Sequence, residues 1–421
     1  MISFSLKTLL VCGLVVAEGI SFPIAQRMVT DHVDHPHLAI PPKYRTGPTQ
    51  NLIQLQSKRA SIGISRKSAV YTVDVAVGTP PQMQTLLVDT GSSDVVIYSA
   101  SSDQCLLSDW GCSGGYNPIA SSTYEKIDHQ FSFGFANHSN TIAGSFVKDD
   151  LILEGLVVYD QEFALVESSL LDFDIAGVLG LGFKSRQQSD FKYETVISNL
   201  HNQKSINQGH VFSLYLGSRH DQNNKLNLPN ASLDLGYLDP AKYAGDQMTF
   251  MPCKSTDNFS VQVSDIRFIN KNNKFFQHGG STSNNFASLE LLLDSGTIGI
   301  ILPDNIADQI ASSISIDAEY DLSLPGYRIP CNSMFKSRSS LEFDFMIDYE
   351  GKNIKTIKVA LPELGRRLQI QNEMCVLDIV RQSTYGIGNI LGTAFMSSVY
   401  ATFDMEHHRV GLAQAAYYNQ Y

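Results

Sequence analysis

Two short segments of this chain each bring one aspartate to the end of an apolar run. Residues 86–93 read Leu-Leu-Val-Asp-Thr-Gly-Ser-Ser, and residues 291–297 read Leu-Leu-Leu-Asp-Ser-Gly-Thr. One carboxylate can act as a base, whereas two carboxylates held together share a proton and can act as acid and base. We therefore predict that Asp89 and Asp294 meet and add water to a carbonyl carbon without a covalent intermediate.

The small residues beside the two aspartates fit this chemistry, and they are Thr90, Gly91, Ser92, Ser295, Gly296 and Thr297. Glycine lets the backbone turn tightly beside each carboxylate. The hydroxyl directly after each aspartate could cross-link the two turns. The hydroxyl three residues after each aspartate could hydrogen-bond the carboxylate and orient it.

A second pair of similar segments follows the first pair along the chain. Residues 176–182 read Ala-Gly-Val-Leu-Gly-Leu-Gly, and residues 389–395 read Asn-Ile-Leu-Gly-Thr-Ala-Phe. Each follows its aspartate at nearly the same distance. A repeat in the same order and at similar spacing predicts two similar lobes.

Short apolar runs bounded by Gly and Pro predict strands in most of the chain. Residues 71–77 alternate, and residues 78–81 (Gly-Thr-Pro-Pro) predict a turn. Helices are predicted at residues 193–200 and 304–314. The Asn-, Gly- and Ser-rich stretch 270–288 predicts an exposed loop. The expected fold is therefore mostly β with short helices.

The N-terminal region has the features of a processing region. Lys7 precedes an apolar stretch of secretory-signal length, and a dibasic pair, Lys58-Arg59, ends the polar stretch that follows. We expect a mature chain that starts near Ala60, released by a dibasic-specific protease or by self-processing. The predicted divisions are signal peptide, pro-peptide, N-terminal lobe and C-terminal lobe, at residues 1–19, 20–59, 60–238 and 239–421.

The composition limits the classes of molecule that this protein is expected to bind. The net charge of −11 without a basic cluster argues against nucleic acid and anionic membranes. We expect a secreted monomer without cofactor, metal or membrane anchor. Sequons at Asn137, Asn230 and Asn258 predict N-glycosylation. Five cysteines remain after the signal, so at least one thiol should be free.

These motifs resemble those of the pepsin-type aspartic proteases. The two Asp segments, the two later Gly segments, and the stretches that begin at Ala401 and Arg409 carry the resemblance, which runs from about Tyr71 to Ala415. The finer match is to secreted fungal members of the candidapepsin and yapsin kind. The resemblance implies a bilobal pepsin-like fold and an acid endopeptidase, made as a zymogen, that cleaves peptides or proteins. It implies an extracellular or cell-wall location, with the vacuole as an alternative.

The resemblance also implies how the cysteines pair. Cys105 and Cys112 would close a small loop after the first aspartate, and Cys331 and Cys375 would bridge the second lobe. Cys253 has no partner in the family pattern, so we expect it to be a buried free thiol.

The chain departs from the family at the hairpin flap that closes over the substrate. Phe135 stands where the family usually has Tyr, and Ala136 stands where it has Gly. Val96 stands at the position of the Trp that this Tyr commonly hydrogen-bonds, so both ends of the bond are missing together. Two readings follow: a protease with a less tightly latched flap, which we favour, or a weak or inactive peptide-binding relative. The sequon at Asn137 lies at the predicted flap tip.

Other hydrolase classes fit the sequence less well. Residues 111–115 match Gly-x-Ser-x-Gly, but no strand-to-helix pattern surrounds them. The zinc-protease motif His-Glu-x-x-His does not occur. A glycosidase also uses two carboxylates, but it needs no matched Asp-hydroxyl-Gly turns.

Overall fold

A computed structural model describes residues 60–420 apart from 64, 68–69, 108–114, 136–139, 170–176, 207–208, 221–230, 246–247, 271–274, 280–287, 336–338, 349 and 369–372. The described residues are mostly strand, with short helices between them, and the predicted fold class is confirmed.

The strands are numbered in chain order. Those of the first half are β1 (Ala60–Gly63), β2 (Ser65–Lys67), β3 (Val70–Val77), β4 (Gln82–Asp89), β5 (Val95–Tyr98), β6 (Glu125–Phe135), β7 (Asn140–Leu153), β8 (Leu156–Ser169), β9 (Gly177–Gly180), β10 (Val211–Tyr215), β11 (Ser232–Leu235) and β12 (Thr249–Pro252). Those of the second half are β13 (Ser260–Ile269), β14 (Phe275–Gly279), β15 (Leu289–Leu293), β16 (Ile300–Leu302), β17 (Glu319–Asp321), β18 (Gly326–Pro330), β19 (Ser340–Met346), β20 (Ile354–Ala360), β21 (Gly365–Arg367), β22 (Met374–Leu377), β23 (Ile379–Arg381), β24 (Ile390–Leu391), β25 (Val399–Asp404) and β26 (Arg409–Gln414).

The helices are short. The α-helices are α1 (Asp103–Leu107), α2 (Val196–Asn202), α3 (Asp304–Ile314), α4 (Cys331–Phe335) and α5 (Thr393–Met396). Single 3₁₀ turns occupy Pro118–Ala120, Lys184–Arg186, Pro240–Lys242, Leu361–Leu364, Gln382–Thr384 and Ala416–Gln420.

The two lobes repeat one strand arrangement. In the first lobe β4 pairs in parallel with β9, β9 pairs antiparallel with β5, and β5 pairs in parallel with β8. In the second lobe β15, β24, β16 and β23 repeat the same order and the same directions. Each Gly segment of the sequence repeat thus lies between the two strands that flank an aspartate. The predicted two similar lobes follow from this topology.

A six-stranded sheet joins the lobes. Its order is β1-β11-β10-β25-β26-β12, so β25 and β26 of the second half lie between β10 and β12 of the first half. The predicted lobe boundary at residues 238/239 falls between β11 and β12 and stays a prediction. Two further groups of strands complete the second lobe. Strands β20, β19, β13 and β14 extend the sheet that contains β15, β24, β16 and β23. Strands β17, β18, β22 and β21 form a small separate sheet.

The helix predictions differ in accuracy. Helix α3 covers the predicted residues, because its apolar side chains at a spacing of four lie on one buried face after Pro303. Helix α2 begins three residues later than predicted. The hydroxyl of Thr195 accepts a hydrogen bond from Ser198 N at 3.2 Å and caps the helix there.

The prediction of one exposed loop over residues 270–288 is wrong in part. Residues Phe275–Gly279 form β14, which pairs antiparallel with β13. Two phenylalanines start this strand, and their strand preference outweighs the turn preference of the surrounding Asn and Gly residues.

Candidate active site

Matching strand ends deliver the two aspartates. Asp89 is the last residue of β4, and Asp294 directly follows β15. Leu181 N donates to Asp89 O at 2.8 Å, and Asp294 N donates to Leu391 O at 3.1 Å. Each aspartate is therefore fixed by the Gly segment of its own lobe, as the repeat in the sequence suggests.

Reciprocal hydrogen bonds join the first aspartate turn (residues 89–92) to the second aspartate turn (residues 294–297). The Thr90 hydroxyl accepts from Ser295 N, and the Ser295 hydroxyl accepts from Thr90 N, both at 3.0 Å. The same hydroxyls donate across the interface, Thr90 to Leu293 O at 2.9 Å and Ser295 to Val88 O at 2.8 Å. Both lobes thus share one buried, twofold-like network of four bonds.

Each carboxylate is oriented by donors of its own turn. Gly91 N donates to Asp89 Oδ1 and Gly296 N donates to Asp294 Oδ1, both at 2.8 Å. The second oxygen of each carboxylate accepts from a hydroxyl, that of Ser92 at 2.5 Å for Asp89 and that of Thr297 at 2.7 Å for Asp294. Both aspartates are buried, so these donors replace the water that would otherwise solvate them.

Burial and mutual repulsion hold a proton on the pair. The pKa of Asp89 is raised well above its ordinary value, first by burial and then by the charge of Asp294, and the bond from Ser92 opposes this. Burial also raises the pKa of Asp294, while the hydroxyl of Thr297 opposes the shift. The carboxyl group of Asp294 lies against the first aspartate turn, close enough for its charge to act on Asp89. The site therefore keeps one acid and one base within contact of each other.

Gly91 is required by the closeness of the two turns. A Cβ added to this residue would lie 2.6 Å from the carboxyl carbon of Asp294. Real Cβ atoms do not approach other atoms so closely, so a side chain at residue 91 would displace the carboxylate of the opposite turn.

Comparison with known proteins decides the family. A sequence model of the eukaryotic aspartyl protease family matches residues 70–415. The chain belongs to the eukaryotic aspartyl protease family. It is an aspartic-type endopeptidase. The resemblance that the sequence motifs indicated is thus confirmed.

Two curated relatives of this aspartyl protease come from Candida species. Secreted aspartic protease 8 of Candida albicans is 30% identical over 354 residues, which cover 82% of this chain and 76% of that one. Candidapepsin of Candida tropicalis is 27% identical over 408 residues, 95% of this chain and 93% of that one. A crystal structure of an aspartic proteinase from Irpex lacteus superposes with a TM-score of 0.65 at 20% identity, over 85% of this chain and 98% of that one. That structure supports the fold alone.

In this aspartyl protease β6 and β7 form the hairpin that corresponds to the expected flap (hereafter the flap hairpin). Phe135 ends β6 and pairs with Asn140, whereas Ala136 and the sequon residue Asn137 lie outside the described residues. Val96 is buried in an apolar cluster that includes Phe131 and Phe133 of β6. The residue at the family's Trp position therefore packs against the flap hairpin through apolar contacts.

One of the two expected disulfides is described in full. Cys331 and Cys375 are joined, and they tie α4 to β22. Cys105 is disulfide-bonded, but its expected partner Cys112 lies outside the described residues. Cys253 is a buried free thiol whose pKa is raised to about 12, mainly by burial and further by Asp404.

The remaining predicted sites fall mostly outside the described residues. These are the dibasic residues Lys58 and Arg59 and the sequon residue Asn230. Asn258 is described, and its side-chain oxygen accepts a hydrogen bond from Ser260 N at 3.0 Å, in the turn between β12 and β13. Within the described part of the chain, no helix is long and apolar enough to span a membrane, and no cluster of three potential metal ligands occurs.

Sequence reasoning missed two buried polar groups. Asp94 accepts hydrogen bonds from Gln188 N and from the Tyr193 hydroxyl, both at 2.7 Å. Asp378 binds Arg219 Nη2 at 2.7 Å and Arg366 Nε at 2.6 Å. Gln188, Tyr193 and Arg219 lie far from these aspartates along the chain, so no local pattern could reveal those three contacts. The one available signal for Asp94 was an acidic residue directly before the apolar run Val95–Tyr98.

Proposed function

We propose that this endopeptidase hydrolyses peptide bonds by activating one water molecule between Asp89 and Asp294. The observation that carries the proposal is the buried pair of neighbouring carboxyl groups, each with a raised pKa and each oriented by one amide and one hydroxyl. Such a pair holds one proton at acidic pH, which is the state that general acid/base catalysis needs.

In the proposed reaction the pair gives up one proton and takes up another in each of two steps. The ionised carboxylate takes a proton from the water as its oxygen bonds to the peptide carbon, and the protonated carboxyl gives its proton to the carbonyl oxygen. The product is a tetrahedral diol on which both hydroxyls are neutral. In the second step the C–N bond breaks as the nitrogen receives a proton from the pair, and a diol hydroxyl returns a proton to the pair. Acid, amine and the singly protonated pair remain, so the cycle closes.

We further propose secretion as a zymogen with residues 1–19 as signal and 20–59 as pro-peptide. Support comes from the apolar stretch near the N-terminus and from relatives that are described as secreted aspartic proteases. Processing after Lys58-Arg59 would leave Ala60 as the first residue, and Ala60 begins β1 of the joining sheet, opposite Leu235. N-terminal sequencing of the secreted protein tests this, because a start well before residue 60 contradicts it.

A peptide-cleavage assay with three variants tests the proposed chemistry. Asp89→Asn and Asp294→Asn each remove one member of the pair, and we expect kcat to fall at least about 10²–10⁴-fold. Asp74→Asn is the matched control, because Asp74 is an exposed carboxylate of β3 that bonds the Thr85 hydroxyl at 2.8 Å. Assays should span acidic to neutral pH. Full activity of either dyad variant would refute the mechanism.

The alternative of a binding-only relative is not favoured, because the family assignment carries the endopeptidase activity and no support of the pair is missing. Binding of a peptide without cleavage at any pH by the unmodified mature protein would revive it.

A further inference from the structure

A buried carboxylate that the proposed reaction does not use lies next to the first aspartate turn. Asp94 follows Ser92 by two residues at the entry to β5, and 4% of its surface is exposed. Its oxygens accept the two hydrogen bonds from Tyr193 and Gln188 N. The neighbouring backbone is equally fixed, since Gly182 N donates to Ser92 O at 2.7 Å. Asp94 thus ties the turn that carries Asp89 to residues 187–193.

Residues 187–193 form a compact segment, hereafter the brace. Tyr193 N donates to the side-chain oxygen of Gln187 at 3.1 Å, so the two ends of the segment are joined. The ammonium group of Lys192 donates to Ser189 O at 3.0 Å and also to Gln187 O. Because these bonds close the segment upon itself, a displacement at one end is transmitted to the other.

The other side of the brace packs on the flap hairpin. The rings of Phe191 and Tyr193 lie 5.0 Å and 5.7 Å from the ring of Phe146 on β7. Phe191 also lies 4.6 Å from the ring of His129, and the His129 imidazole contacts the carboxylate of Asp190. The pairing of β6 with β7 shifts register in the stretch that contains His129, which directs this side chain to the brace.

The contacts continue along the flap hairpin. The ring of Phe146 lies 5.3 Å from that of Phe131 and 6.3 Å from that of Phe133, two residues further along β6. These rings form one buried cluster with Val96 and Tyr193. An unbroken path of contacts therefore leads from the first aspartate turn through Tyr193 to the strands of the flap hairpin.

We propose that the brace couples the flap hairpin to the first aspartate turn, and that Tyr193 is a positioning residue for peptide hydrolysis. The inference rests on the proposed roles of the aspartate pair and the flap hairpin. The Tyr193 hydroxyl donates to Asp94 while the Tyr193 ring packs on Phe146, so this one side chain sets the height of the flap hairpin over the aspartates. Hydrolysis needs the substrate held within a fraction of an ångström of the attacking water, and small displacements are costly.

The test is Tyr193→Phe, with Tyr116→Phe as the matched control. Tyr116 is also a buried tyrosine of the first lobe whose hydroxyl donates to an aspartate, Asp149 at 2.5 Å, but it belongs neither to the brace nor to the aromatic cluster. We expect Tyr193→Phe to lower kcat per titrated active site by about tenfold, with a smaller change in KM. We expect the control to change neither by more than about twofold.

Hydrogen exchange gives a readout that a general loss of stability would not move. In Tyr193→Phe, amides of β6 and β7 should exchange faster while those of the joining sheet keep their rates. Phe191→Leu leaves the hydrogen bond from Tyr193 to Asp94 in place and should also speed amide exchange in the flap hairpin. This variant replaces Tyr193→Phe in the test if Tyr193→Phe does not fold. Equal kinetics and equal exchange in Tyr193→Phe and Tyr116→Phe would overturn the proposal. The Asp294→Asn variant separates the proposed catalytic role of the aspartate pair from the proposed role of the brace. Full activity of Asp294→Asn would refute the catalytic role. If Asp294→Asn is inactive while Tyr193→Phe keeps the activity of the unmodified protein, only the role of the brace is refuted.

Discussion

Replacing Asp378 by Asn should cost this protease a large part of its stability. Asp378 lies between β22 and β23, and its side chain is 1% exposed. Its two oxygens each accept a charged hydrogen bond, from Arg219 and from Arg366. Arg219 follows β10 in the first half of the chain, so the pair joins distant parts of the sequence. Asp378 N also donates to Leu364 O, and Asp378 O accepts from Ile300 N near the second aspartate turn.

The expected magnitude follows from these contacts. Asparagine keeps one oxygen, but its amide group turns N–H donors toward the N–H donors of a guanidinium. At least one charged bond is lost, and the Arg219 guanidinium keeps its bond to the backbone carbonyl of Glu363 at 2.7 Å, which does not neutralise its charge. Charged hydrogen bonds contribute about 1.5–3 kcal/mol each, and breaking a buried ion pair on one side costs about 3–5 kcal/mol. We therefore expect Asp378→Asn to lower the free energy of unfolding by about 3–5 kcal/mol.

The pH dependence has a defined sign. Burial alone would raise the pKa of Asp378, but the charges of Arg366 and Arg219 outweigh it and the pKa lies below its ordinary value. The stabilisation is therefore complete above the unfolded-state pKa of about 3.9 and is lost as pH falls through the folded-state value. The difference between the unmodified protein and Asp378→Asn should be constant above about pH 5 and shrink below about pH 4.

Urea unfolding in an Asp294→Asn background measures this difference without self-digestion. The matched control is Asp321→Asn, since Asp321 also accepts from an arginine Nε, that of Arg328 at 2.5 Å, but on a half-exposed hairpin. Such surface pairs contribute about 0–1 kcal/mol. The reasoning fails if Asp378→Asn costs no more than the control, or if its cost stays the same down to pH 2.

Three further outcomes are expected. Gly91→Ala should lower kcat about 10²-fold with KM less affected, because the new Cβ displaces the Asp294 carboxylate; unchanged steady-state kinetics would contradict this. Burial and charge raise the pKa of Asp89, so kcat/KM should fall with rising pH at a pH above the ordinary aspartate range. Ser92→Ala should move this fall to still higher pH, because it removes a hydrogen bond that lowers the pKa of Asp89. A shift of the fall to lower pH in Ser92→Ala would contradict this reasoning. Cys331→Ser should cost about 2–4 kcal/mol of stability in thermal unfolding by opening its disulfide, and an unchanged midpoint would count against that.

Features carried by local repeats were predictable from the sequence. Two Asp segments followed by two Gly segments indicate the duplicated lobes, because a strand that ends in Asp-hydroxyl-Gly needs an adjacent strand to fix its end. The amphipathic spacing in residues 304–314 likewise predicted α3. Features that depend on distant partners were not predictable. No sequence pattern near Asp378 indicates that it binds Arg219. The start of α2 depends on the hydrogen-bonded cap at Thr195.

The aspartate pair and the flap hairpin are held in physically different ways, which suits what each must do. Directional hydrogen bonds from both lobes fix the two carboxylates, so their geometry cannot drift while charge moves between them. Ring contacts such as that of Phe146 with Phe191 hold the flap hairpin instead, and because apolar attraction is not directional, these contacts can be broken and remade without leaving a buried polar group unpaired. Because Phe135 and Val96 replace the Tyr and Trp of the family pattern, we expect the replacement to alter how firmly the flap hairpin closes, while the proposed chemistry stays with Asp89 and Asp294.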